Sequence, residues 1–456
     1  MFKTFINAWK VKDIRTKMLY TLLLIVVYRF GSFIPIPGVV ATVLAQNIAN
    51  YDLLGFLNLF SGGSLRQFSL FAMGISPYIT GSIIVQLLTI AIPALERLSK
   101  EEDGRAKIEK ITRYVGVALA AIQSISIIVM IKNVTNVELL KTLTLVPGAT
   151  GLNTAFTYLT IAICCTAGTA FLMWMGERIT EKGVGNGISM LIFASIVASI
   201  PNVVVRIFRH TEIFPWATVE VNQNGTYGLI QWWKPLVAIL VTLILVVGIC
   251  LVDKAVRRIP VQYAKRVVGR KLYGGQSTHI PMKANANGVM PLIFAMTLLQ
   301  VPDMIGQFFS NQNAGFPQFV KTYLSSSTSN VAGIIIYNLI YGLLIIGFAY
   351  FYSTISFNAV DISKNLQQNG GFIPGIRPGK PTSDYLQKKS NRLTLFGAVY
   401  LCLIAIIPSI LLNVLKIDLL SNFGATSILI MVSVALETAE QLDSLLLMRH
   451  YKGFLG

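Results

Sequence analysis

The chain has 456 residues, 54% of them apolar and 13% charged, with a formal net charge of +18. Soluble domains carry roughly 25% charged residues, so the composition excludes a soluble enzyme or binding module and marks an integral membrane protein. Its four cysteines, Cys164, Cys165, Cys250 and Cys402, fall in apolar stretches without metal-ligand spacing; no disulfide framework, metal or other cofactor is expected.

The N-terminal MFKTFINAWKVKDIRTK interleaves apolar and basic residues, as an amphipathic helix on the inner leaflet does. Ten segments then read as membrane spans: Met18–Pro35, Leu70–Ile92, Tyr114–Ile131, Phe156–Trp174, Gly187–Val205, Leu236–Val252, Val289–Ile305, Val331–Phe351, Leu393–Leu415 and Thr426–Leu447. The first is too long, and too lacking in a small-residue cleavage site, for a removable signal peptide. It ends in RFGSFIPIPG, where Pro35 and Pro37 stop the helix and force an extended exit. Arg29, near that end, can snorkel or pair.

Phe56–Pro93 breaks the pattern. Phe56–Phe60 is apolar but is cut short by Ser61-Gly62-Gly63-Ser64 and followed by Arg66-Gln67. So short a piece lies at the surface, or re-enters the membrane where protein or water satisfies its backbone. A half-helix joined to a spanning helix marks a transport pathway.

The loop between the second and third spans is densely charged around Glu101-Glu102-Asp103-Gly104-Arg105. GERITEKGVGNGIS at 176–189 is glycine-rich but follows no strand and lacks the Lys-Ser/Thr of a phosphate loop; it reads as a flexible connector. Residues 254–285 carry eight Lys/Arg and no acid, and 355–392 place Arg377 in GGFIPGIRPGK. Loops this long are functional or disordered: either solvated positive charge or a shaped tip.

Charge sets the orientation. With both ends cytoplasmic, the outer loops hold only Arg66, Lys132, Lys141, Arg206, Arg209, Lys234, Lys321 and Lys416 of the 38 Lys/Arg, and Arg29 lies within the first span. The remainder face inward, as the positive-inside rule requires. No HExxH, Ser/His/Asp set or paired intramembrane acid stands out, and His210, His279 and His450 are far apart. Glu437 is the sharpest candidate for a buried acid, with Glu440 and Asp443 nearer the inner end. These acids either face water or a partner, or mark where the helix leaves the membrane. No enzyme is expected.

Several motifs, in order, resemble the SecY/Sec61-alpha family: RFGSFIPIPG at 29–38, FLNLFSGGS at 56–64, GISPYITGSIIVQLL at 74–88, GERITEKGVGNGIS at 176–189, NANGVMPLIFA at 285–295 and GGFIPGIRPG at 370–379. The resemblance covers all ten spans; residues 211–233 match no motif. It implies an all-α membrane protein whose ten transmembrane helices form two inverted, pseudo-symmetric halves. These are residues 1–205 and 206–447, hinged between the fifth and sixth spans, with 448–456 as a cytoplasmic tail. It implies a passive channel that carries unfolded polypeptides across a bacterial plasma membrane and releases apolar segments sideways into lipid.

A re-entrant plug helix would occupy about 57–68, with Leu57, Phe60, Gly62, Gly63, Ser64 and Arg66. The constriction would be Ile79, Ile83, Ile188, Ile192, Ile293 and Ile430. Residues four apart share a helix face, and a ring of apolar side chains offers ions no ligands and tends to dewet. The lateral gate, between the second and seventh spans, would involve Gln86, Asn285 and Asn287, with Gln123 a further candidate. Arg257, Arg258, Arg266, Arg270, Arg377 and Lys380, on the inner loops 254–285 and 355–392, would dock the motor ATPase SecA or a ribosome. SecE and SecG would be membrane partners; signal peptides and nascent chains would be the cargo, and membrane lipids would receive what the gate releases. A secondary transporter is the rival, but it needs a polar site near the midplane, where this chain has isoleucine. An intramembrane enzyme would need the missing catalytic pair.

Overall fold

The computed structural model describes residues 2–37, 61–65, 67–101, 104–134, 150–209, 233–263, 266–268, 271–273, 277–286, 288–306, 315–324, 331–414 and 425–452. The helices, in chain order, are α1 (Phe2–Lys10), α2 (Lys12–Gly31), α3 (Ser76–Ala91), α4 (Pro93–Lys100), α5 (Gly104–Val134), α6 (Thr150–Lys182), α7 (Gly187–Arg209), α8 (Trp233–Asp253), α9 (Met290–Gly306), α10 (Gly315–Tyr323), α11 (Val331–Ser356), α12 (Ala359–Gln368), α13 (Lys380–Val414) and α14 (Ala425–Lys452).

Each of the ten apolar segments overlaps a helix, although residues 32–35 lie beyond α2 and residues 70–75 turn before α3. Four stretches, 106–128, 155–182, 332–368 and 380–408, are long and apolar enough to cross a membrane by themselves. A fifth is α3 with α4, bent by 104° where Pro93 follows the extended Ile92. Within α7, α8 and α9, shorter apolar stretches occur. The amphipathic N-terminus is broken at Val11, which adopts an extended backbone, so Lys12–Lys17 continue into the first long helix. Ala8 and Ile14 are buried against Val184 and Leu442, while Ile6 and Trp9 stay exposed.

The long helices pack as two groups. α3 lies against α5, α5 against α6, and α6 against α2 and α7; in the second group α9 lies against α11, α11 against α13, and α14 against α8 and α13. The groups meet where α3 touches α9 and where α7 touches α14.

The all-α expectation is corrected at one place: the described parts of the two basic loops, 254–285 and 355–392, fold together. Strands β1 (Val256–Tyr263), β4 (Ser277–Lys283) and β5 (Gly371–Phe372) form one sheet in the order β4-β1-β5, and β2 (Arg266–Val268) pairs with β3 (Lys271–Tyr273). Register pairs Ile259 with Ile280 and Gln262 with Phe372. Ile259 and Val261, two apart, share one face and are buried with Met282, Ala359, Leu366, Ile373 and Leu386. Arg257, Arg258, Pro260 and Pro281 interrupt the apolar pattern of these strands and conceal this small core from a composition reading.

The 176–189 connector is also corrected: it is held closely. Val184 N–H donates to Thr21 Oγ1 at 3.0 Å, Gly187 N–H to Thr180 Oγ1 at 2.8 Å, and Asn186 Oδ1 accepts from the amides of Ile188 and Ser189, capping α7. A Cβ at Gly187 would strike the Gly176 carbonyl.

Candidate functional site

Residues 61–65 and 67–70 turn irregularly ahead of α3. Ser61, Ser64 and Leu65 are buried, so their backbone groups need partners. Ser64 Oγ donates to Ser61 O at 2.6 Å, and Ser61 Oγ accepts from Leu65 N–H at 3.2 Å. Tyr28, on the last turn of α2, donates its hydroxyl to Ser61 O at 3.1 Å and shares a 2.6 Å bond with Ser195 Oγ of α7. Arg29 Nη1 donates to Gly62 O at 2.7 Å, and its guanidinium lies over the Phe33 ring, 5.1 Å from the centroid. Of the two options for Arg29, the structure shows pairing.

The far end of the segment is tied by backbone: Ile36 N–H donates to Phe68 O and Leu70 N–H to Ile34 O, an antiparallel bridge of Pro35 with Ser69. Tyr28, Phe71, Phe171 and Trp174 stack in sequence beside it. Gly62 adopts φ +64°, and a Cβ there would lie 3.0 Å from Ser195 Cα. Leu57, Phe60 and Arg66 lie outside the described residues.

Five of the six isoleucines, Ile79, Ile83, Ile192, Ile293 and Ile430, are buried in one apolar cluster, and Ile188 packs against it. They come from α3, α7, α9 and α14, the helices at which the two groups meet.

At the α3/α9 contact, Gln86 Oε1 accepts from Tyr352 O–H of α11 at 3.3 Å, and its amide donates to Ser82 Oγ at 3.3 Å. The Tyr352 ring packs on Phe294 of α9, so this one side chain touches both sides of the seam. Asn285 is engaged elsewhere: its amide donates to Asp253 Oδ1 at 3.2 Å. Gln123 is buried on α5, with its Oε1 unpartnered among the described residues. Asn287 lies outside the described residues. Glu437 is exposed on α14, one turn before Glu440, which pairs with Lys283 at 2.5 Å. The candidate buried acid is therefore exposed on the surface of the fold.

Arg257 and Arg258 are exposed on β1, and Arg377 and Lys380 are exposed at the tip beyond β5. Gly375 and Gly379, at φ +81° and +97°, frame Arg377. Thr382 Oγ1 donates to Arg377 O at 2.8 Å and Ser363 Oγ to Gly379 O at 2.7 Å, fixing the tip's backbone. Arg266 stands on β2, paired with Tyr273; Arg270 lies outside the described residues. The shared sheet brings Arg257 and Arg258 onto the unit that carries Arg377, which sequence spacing did not disclose. Sequence reasoning also missed Tyr28, Ser195 and Tyr352, whose partners lie 33 to 266 positions away.

A sequence model of SecY matches residues 69–439. The chain belongs to the SecY family. A protein translocase subunit SecY of Streptomyces scabiei is 43% identical, with the whole of each chain covered. Two solved structures share the fold: a protein-conducting channel at TM-score 0.65, and Sec61 in a canine ribosome-channel complex at 0.59. Each is 16% identical, over 94% of this chain and 91% of the other. The SecY assignment accounts for the family motifs lying on the elements just described, and it makes the protein a multi-pass membrane channel rather than an enzyme.

Proposed function

We propose that this chain is the protein-conducting subunit of a Sec translocon, passing unfolded polypeptides across the membrane and releasing apolar segments into lipid. The observation that carries it is the end-to-end match to a translocase subunit SecY. In this reading ten spans form two inverted halves, 1–205 and 206–447, with both termini and the tail 448–456 cytoplasmic in a bacterial plasma membrane. The distribution of Lys/Arg supports that orientation.

The six isoleucines form the constriction, supported by their convergence on one apolar cluster. Such a surface binds no side chain specifically and deforms around a passing chain, yet gives ions no ligands. The segment about 57–68 is the plug, held at its root by Tyr28 and Arg29. The lateral gate opens along α3/α9, where replacing the Gln86–Tyr352 bond costs an entering apolar helix about 1 kcal/mol. Asn285, Asn287 and Gln123 are further polar groups of that gate. SecE and SecG are the membrane partners. SecA or a ribosome docks on the basic inner unit, whose positive charge attracts acidic surfaces and RNA.

The test is a stalled secretory precursor with cross-linkers at Ile79, Ile83, Ile192 and Ile430. Cross-links at all four are expected; their absence in an actively translocating complex rejects the path. Ile83→Gly with Ile192→Gly should raise ion leak in proteoliposomes, and unchanged conductance removes the isoleucines as the seal.

A further inference from the structure

Asp253 is the last residue of α8. A carboxylate there faces the negative end of the helix dipole, which disfavours it. Both of its oxygens are engaged, by donors from different parts of the fold. Oδ1 accepts from Asn285 Nδ2 at 3.2 Å and Oδ2 from Ser433 Oγ at 2.5 Å. Asn285 is buried and lies two residues beyond β4, on the way into α9. Ser433 is on α14, three residues from Ile430, and so on the same helix face.

The connection from β4 to α9 has little freedom. Ala284 N–H donates to Ala255 O at 2.8 Å. Ala284 and Asn285 press on α13 at Gly397, where a Cβ would come 3.2 Å from Ala284 O. Lys283, at the end of β4, pairs with Glu440 of α14. That pair is half-exposed and contributes little alone. The Asp253 bonds are part-buried and charge-assisted, and therefore stronger.

We propose that Asp253 is a positioning residue that couples the basic inner unit to the constriction. Displacement of β4 is passed through Asn285 and Asp253 to Ser433, and so to α14 and Ile430. The inference rests on the channel reading above and adds to it a route by which docking at the sheet is felt at the seal. The two bonds of this knot lie within the second group of helices and the strand leading into it.

The experiment uses the complete reconstituted translocon with its motor ATPase. Motor affinity, stimulated ATP hydrolysis and precursor moved per ATP are measured separately. In Asp253→Ala, precursor moved per ATP should fall at least about tenfold, and in Ser433→Ala about fivefold, as loss of charge-assisted and single hydrogen bonds predicts. Affinity and hydrolysis should stay at the wild-type level. Asp253→Asn, which keeps the shape and one acceptor, should recover part of the yield. A purely structural role would lower all three measurements together through channel abundance. Unchanged yield per ATP, or parallel loss of affinity and yield at normal abundance, overturns the proposal. If Asp253→Ala is degraded, Ser433→Ala decides. A wild-type complex that moves no precursor rejects the channel reading itself; transport with full coupling in the variants rejects only this role of Asp253.

Discussion

The turn at Ser61–Leu70 and the tip at Gly370–Lys380 look alike in sequence: both are irregular and both use glycines at positive φ. They are held in opposite ways. The first is largely buried, and its Ser61 and Gly62 carbonyls accept from side chains of a distant element, Tyr28 and Arg29, with Ser195 bonded to the Tyr28 hydroxyl. The second is anchored by buried Ile373 but exposed at Pro374, Gly375, Arg377 and Pro378, and its backbone is held by near neighbours, Ser363 and Thr382. Long-range ties can be exchanged when helices move, whereas a locally fixed tip keeps its shape while a partner binds. On the channel reading proposed above, the first would be a part to be displaced and the second a part to be gripped.

The largest expected effect tests the gripped part. Arg377→Glu should abolish motor-driven import of a precursor into vesicles at normal channel abundance, and Arg377→Lys should impair it partly. An ammonium cannot copy the planar fork of a guanidinium. Loss of a charge-assisted contact is worth roughly 1.5–3 kcal/mol, or about ten- to hundredfold in docking. Full import by Arg377→Glu would remove the tip from the docking surface.

An intermediate effect sets the two glycine sites against each other. Gly62→Ala carries an αL penalty of roughly 1–2 kcal/mol, and its Cβ also meets the α7 backbone at Ser195. Gly375→Ala carries the backbone penalty alone, since nothing lies within 4 Å. The first should raise resting ion leak and leave motor binding intact. The second should weaken motor binding and leave the leak unchanged. Both variants leaking alike would erase the distinction.

The smallest effect is Tyr28→Phe, which deletes the bonds to Ser61 and Ser195 but keeps the ring stacked on Phe71. A loss of about 1 kcal/mol should raise the open fraction about fivefold in single-channel recordings. Arg29→Gln should act in the same direction. Recordings identical to wild type would show that the root is held by backbone alone.

Much of this was legible in the chain itself. Long apolar runs with few charges mark a membrane protein, and the bias of Lys/Arg supports the orientation proposed above. The resemblance to the SecY family singled out the six isoleucines, and the fold gathers them at one apolar cluster. Ser61-Gly62-Gly63-Ser64 announced a break, since glycine and serine there cannot continue an apolar helix.

The tertiary structure decided what joins what. Sequence spacing could not pair β1 with both β4 and β5, because β5 is only two residues long and β1 and β5 are more than a hundred residues apart. Nor could it give Arg29 the Gly62 carbonyl, Gln86 the Tyr352 hydroxyl, or Asp253 its two donors. Hydrophobic patterning specifies which face of an element is buried, but a hydrogen-bond partner is chosen by position in space. In a bundle of this size that position is set by packing across the whole fold.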